Sequence, residues 1–152
     1  MPKLILFVAC EKVIIDHQQL PSLINIFQRM QIKLPDAPLP EKALSPVRWD
    51  AFALWQHTEE EVGRKFTQRI EALTPDGEKF LEAKVVFGAV NNEDLQSKNT
   101  FQLFGIPINQ EGKIRVITWL GDDENPVGEY YFSMKHLPKE KNEQSPIISA
   151  AE

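Results

Sequence analysis

Along residues 66–73 the side chains alternate, with Phe66, Ile70 and Ala72 on one parity and Thr67, Arg69 and Glu71 on the other. A strand sends successive side chains to opposite faces, so a period of two predicts a half-buried strand. The alternation recurs at residues 80–90, where Leu81, Ala83, Val85, Phe87 and Ala89 oppose Glu82 and Lys84. It recurs at residues 113–120, where Ile114, Val116 and Leu120 share a face, and at residues 126–134, where Tyr130, Phe132 and Met134 do. Residues 47–57 are apolar on both parities: Trp49, Ala51, Ala53 and Trp55 oppose Phe52 and Leu54. Such a segment predicts a strand covered on both faces and central in its sheet.

Residues 3–15 form an apolar, β-branched stretch that ends at the polar break Asp16-His17-Gln18-Gln19. Residues 20–34 fit two periods. Leu20, Leu23, Ile24, Phe27 and Met30 satisfy helical spacing, while Ile24-Asn25-Ile26 and Met30-Gln31-Ile32 alternate, and the alternation favours an extended segment. Pro35, Pro38, Pro40 and Pro46 exclude a helix or central strand from residues 34–46, which read as a crossing from one sheet to another. Thr74-Pro75-Asp76-Gly77 predicts a tight turn with Gly77 in the left-handed region. Asn91 to Asn99 is a polar break, residues 101–108 resume a strand that Pro107 ends, and residues 109–112 turn into the next. Short strands at this spacing predict an all-β protein, an antiparallel β-sandwich of about eight strands.

A chain of 152 residues with 42% hydrophobic and 26% charged residues has the balance of one globular domain that needs no staple. The domain is placed at residues 1–137, and the Lys- and Glu-rich residues 138–152 are expected to be a mobile tail. Net charge is −5 and the basic residues are scattered, which argues against nucleic acid as a partner. No apolar run approaches the ~18 residues of a membrane span. Lys3 followed by apolar residues 4–9 and Cys10 resembles a lipoprotein signal, but one positive charge and so short a run fall below what such a signal needs. A single cysteine forms no internal disulfide, so the reducing cytoplasm is the expected compartment.

Three segments together carry a resemblance. They are Glu11-Lys12-Val13-Ile14-Ile15-Asp16 running into Ser22-Leu23-Ile24-Asn25-Ile26-Phe27, the strand that ends at Trp55, and Gly128-Glu129-Tyr130-Tyr131-Phe132. Over residues 4–137 the chain resembles a widespread bacterial domain of unknown function. The resemblance implies an immunoglobulin-like or C2-like sandwich and brings no catalytic residue with it.

Candidate chemistry is sparse. His17, His57 and His136 fall one to a segment without ligand-like spacing, and each reads as a turn or surface residue; no nucleophile-elbow motif accompanies them. Cys10 on a strand reads as a buried, inert thiol. Neither Gly105 nor Gly112 precedes a helix start that would cradle phosphate. Trp49, Trp55 and Trp119 read as core. One feature comes from strand parity: if successive strands are antiparallel, alternate connections meet at one end of the sandwich. Counted from Asp16-His17, those connections include Glu59-Glu60-Glu61, Asn91-Asn92-Glu93-Asp94 and Asp122-Asp123-Glu124-Asn125. Loop carboxylates converging at one pole are the hard oxygen ligands that Ca²⁺ takes, which makes Glu59, Glu61, Asp94, Asp122 and Asp123 the candidate metal ligands and Ca²⁺ the one cofactor to weigh. The leading expectation is a non-enzymatic binding or assembly module that presents this acidic pole to a protein partner, with homo-oligomerisation left open. The alternative is a hydrolase-like or cation-dependent enzyme, or a calcium-binding module, using the same carboxylates.

Overall fold

A computed structural model describes residues 1–138; most of the segment expected to be a mobile tail lies outside the described residues. Nine strands form two sheets: β1 (Lys3–Ile15), β2 (Pro21–Ile26), β3 (Arg29–Ile32), β4 (Leu44–Gln56), β5 (Phe66–Leu73), β6 (Lys79–Phe87), β7 (Gln96–Pro107), β8 (Gly112–Leu120) and β9 (Gly128–His136). One sheet has the order β2-β1-β4-β7 and the other β3-β9-β8-β5-β6. No α-helix occurs among the described residues, and a single 3₁₀ turn covers Glu59–Glu61. The all-β, two-sheet expectation therefore holds, with nine strands where about eight were expected.

The additional strand comes from residues 20–34. The segment is extended, but it divides at Phe27-Gln28: β2 pairs with β1 in the first sheet, and β3 pairs with β9 in the second. The β3–β9 pairing is parallel, so the second sheet is mixed rather than wholly antiparallel. Phe27 sits at the crossing. Its N–H donates to the Ala9 carbonyl at 2.9 Å, and its ring lies 5.1 Å from that of Phe132 and 6.2 Å from that of Trp49. The crossing is therefore held by core packing, which a proline-free, locally alternating sequence does not announce.

The interior lies between the sheets. Trp49, Ala51, Ala53 and Trp55 of the central strand β4 face Ile70, Ala72, Ile114, Val116 and Phe132 of the other sheet. The turn at Thr74–Gly77 takes the expected form, with Gly77 at φ +89° and its N–H donating to the Thr74 carbonyl at 2.9 Å. Trp119 departs from the expected core: its neighbours Ile114, Val116 and Leu120 occupy the inner face, so its odd position points outward, where the Arg69 guanidinium stacks 4.1 Å from its ring centroid.

β1 pairs with β4 only from Lys3 to Cys10 and then leaves it, continuing with β2 as a two-stranded hairpin. The hairpin bends back over the outer face of its own sheet. Asp50, on that face, accepts the Val13 N–H at 2.8 Å, and Lys98 reaches the Gln19 carbonyl at the hairpin tip at 2.5 Å. Phe52, Val8 and Cys10 point to this outer face and are nonetheless buried. The double-sided apolar pattern of residues 47–57 thus has two causes, the sandwich interior on one face and the folded-back hairpin on the other.

Candidate functional site

β4 ends and β7 begins at the Gln56↔Gln96 pair, β5 begins and β6 ends at Phe66↔Phe87, and β8 ends where β9 begins, near Thr118↔Gly128. Residues 57–65, 88–95 and 121–127 consequently connect strands at one end of the sandwich. Backbone bonds hold them there: His57 N–H donates to Leu95 at 2.7 Å, Gly63 N–H to Ala89 at 2.9 Å, and Gly121 N–H to Thr67 at 2.8 Å. These connections carry eight carboxylates against Arg64 and Lys65. The connections of the opposite end, residues 33–43, 74–78 and 108–111, hold five against Lys33 and Lys42, so the charge asymmetry is real but moderate.

The candidate ligands share the pole without converging. Glu59 lies in the exposed 3₁₀ turn and Asp122 is exposed in the β8–β9 connection. Asp94 accepts the Gln96 N–H at 3.2 Å, and Asp123 accepts the Asn125 N–H at 3.0 Å. Both carboxylates therefore serve their own turns. Glu61 is not a loop carboxylate facing water: it is 2% exposed, accepts the Thr58 N–H at 2.8 Å and lies 2.7 Å from the α-amine of Met1. Burial alone would raise its pKa, but the Met1 amine, the Thr58 N–H and the charge of Met1 together hold it below the usual carboxylate range. Among the described residues no three carboxylate, histidine or cysteine side chains come together as a set able to hold a metal ion.

A polar network lies beneath the acidic surface. His57, expected in a turn or at the surface, is 2% exposed; its Nε2 is 2.7 Å from Ser97 Oγ, and its Nδ1 has no hydrogen-bond partner and lies 4.0 Å from Glu61 Oε1. Burial lowers the His57 pKa, against the pull of Glu61 and Asp94 in the other direction. Further in, Gln68 joins the sheets: its Oε1 accepts from Trp55 Nε1 at 2.9 Å and Asn99 Nδ2 at 2.8 Å, and its Nε2 donates to Thr118 Oγ1 at 2.9 Å. His17 is exposed, and His136 Nε2 is 2.8 Å from the Ile108 carbonyl at the other end.

Ser97, His57 and Glu61 follow the order of nucleophile, base and carboxylate, and the Ser97–His57 distance is within the range such a pair requires. The surroundings are wrong for acyl transfer. Ser97 lies on the inner parity of β7, cross-strand from the fully buried Trp55, and lines none of the clefts formed by the described residues. The expected inert state of Cys10 agrees with the structure: burial, with the Asp50 charge nearby, raises its pKa to about 11, so the thiolate is scarce at neutral pH.

Parity contained the signal for two of these residues. His57 continues the inward series of Trp49, Ala51, Ala53 and Trp55, and Gln68 lies between Phe66 and Ile70. Ser97 and Asn99 were hidden because residues 91–99 read as a polar break, whereas β7 already begins at Gln96. No helix among the described residues is long and apolar enough to cross a membrane. The chain matches no protein-family model, and no curated protein is significantly similar to it.

Proposed function

We propose that this protein is a cytoplasmic, non-enzymatic binding module, an immunoglobulin-like or C2-like sandwich that presents its acidic pole to a protein partner with basic side chains. The observation that carries the reading is the meeting of three acidic connections, residues 57–65, 88–95 and 121–127, at one end of a rigid two-sheet scaffold. Loops fixed by such a scaffold are where binding surfaces are commonly built, and a concentrated charge of one sign steers a partner of the other. The enzyme alternative has less support, because the one nucleophile–base contact, Ser97 with His57, faces the packed interior.

The test is quantitative co-purification from the native host with wild-type chain and with an Asp122→Lys, Glu124→Lys variant, which leaves the turn-capping Asp123 in place. A basic protein retained by the wild type and lost from the variant supports the reading. An unchanged set of retained proteins overturns it, as does a rise in melting temperature that saturates at low calcium and is not reproduced by magnesium, since that would make the pole a cation site.

A further inference from the structure

Where β1 leaves β4, the outer face of the first sheet is left with an open groove of about 620 Å³ between the base of the hairpin and strands β4 and β7. Glu11, Lys12 and Val13 form one wall, and Arg48, Asp50 and Phe104 lie opposite them. Arg48 and Phe104 are direct cross-strand partners, so their side chains rise side by side on this face. Phe104 is 58% exposed, a large aromatic with no cover in an otherwise well-packed region.

The charges of the groove are unevenly satisfied. Both acids are engaged internally: Glu11 Oε1 accepts the Asn25 side-chain amide at 2.7 Å, and Asp50 Oδ2 accepts the Val13 N–H at 2.8 Å. Neither cation has an ion-pair partner among the described residues, although Lys12 and Arg48 are both exposed on a chain of net charge −5. An acidic protein that leaves two cations unpaired beside an exposed aromatic ring offers local complementarity for a carboxylate with an apolar neighbour. The groove is open rather than enclosed, which suits a chain segment passing along it, and the overall negative charge disfavours a polyphosphate backbone.

From this we infer that the groove is a second contact surface, separate from the acidic pole, that takes an acidic peptide segment of a partner protein. Arg48 and Lys12 hold a carboxylate, and Phe104 packs against an apolar residue one or two positions away. The inference does not depend on the reading of the acidic pole.

The test uses an oriented library of seven-residue peptides with Glu fixed at the centre and degenerate flanks, passed over the immobilised chain beside a library with Gln at that position. Inorganic phosphate and citrate serve as competitors. The expected result is at least tenfold greater retention of the Glu library, with apolar residues enriched beside the Glu. An Arg48→Gln, Lys12→Gln variant, which changes two exposed side chains, should lose this retention while keeping its circular dichroism spectrum, and Phe104→Ser should lose the apolar enrichment but not the preference for Glu. Equal retention of both libraries, retention unchanged in the Arg48→Gln, Lys12→Gln variant, or full displacement by millimolar phosphate or citrate would each overturn the inference, the last by showing a site for small anions.

Discussion

At the scale of single residues, three positions carry costs that can be separated. Gly77 has open space where a Cβ would stand, so a substitution there meets strain from its φ of +89° and no clash. Gly77→Val should therefore cost about 1–2 kcal/mol, the penalty of the left-handed region for a branched residue, and Gly77→Asn less; urea unfolding midpoints measure both. His57 carries a pH signature. Its pKa in the folded chain lies below 6.5, chiefly through burial, so below that value the unfolded chain takes up a proton that the folded chain resists. Stability from this residue is fully present above 6.5 and falls as pH drops from there towards the folded value. Melting temperatures between pH 5 and 7.5 should show that slope in the wild type and a shallower one in His57→Gln, with Glu61 and Asp94 unchanged in both. Gln68 is the third position. Gln68→Leu keeps the volume but leaves Trp55 Nε1–H and Asn99 without their buried acceptor, and each unpaired group costs about 1–3 kcal/mol. A loss below about 1 kcal/mol in denaturant unfolding would mean that both groups find other partners.

At the scale of elements, the β1–β2 hairpin is the least determined by its own sequence. Its outward face carries Ile14, Ile24 and Ile26, all more than a third exposed, while Val13 and Leu23 are only half-buried, so its position leans on the hydrogen bond from Val13 N–H to Asp50. Asp50→Ala should release it locally. Cys10 lies under the bend and is fully buried, so its reaction with an aromatic disulfide reagent at pH 8 should accelerate at least tenfold in that variant under conditions where the fold persists. An unchanged rate would mean that the hairpin is held by packing alone. The same hairpin marks the limit of what the sequence made legible. Alternation located β5, β6, β8 and β9 and their inner faces, because each is a half-buried strand whose polar parity meets water. It also contained the outward position of Trp119, which the habit of assigning tryptophan to the core obscured. The division of residues 20–34 between two sheets, and the fold-back of β1, rest on contacts with Trp49, Phe132, Asp50 and Lys98, residues 22 or more positions away in sequence. Local periodicity carries no record of such contacts.

At the scale of the whole molecule, the strand order places like charges together, and that arrangement has a measurable consequence independent of any partner. Antiparallel succession from β4 to β9 was enough to predict that residues 57–65, 88–95 and 121–127 meet, since a reversal at each connection returns every second one to the same end. What parity did not show is that the carboxylates meet unequally: Glu61 turns inward to the Thr58 N–H and the Met1 amine, Asp94 and Asp123 bind their own turns, and Glu59, Glu60, Asp122 and Glu124 stay in solvent. Exposed like charges repel over roughly a Debye length, about 30 Å at 10 mM salt and 8 Å at 150 mM, so salt should relieve the crowding. The melting temperature should rise by about 2–4 °C between these conditions, as expected of a change near 1 kcal/mol in a domain of this size. An Asp122→Asn, Glu124→Gln variant should start higher at 10 mM and gain less, because two of the unscreened charges are gone and the capping Asp123 remains. Glu78→Gln at the opposite end is the control; Glu78 is paired with Lys42 at 3.2 Å, so its loss should not reproduce the effect. Equal salt increments in the wild type and the pole variant would show that these carboxylates are too far apart in solution to repel, and a pole without mutual repulsion would have no concentrated field with which to attract a basic partner.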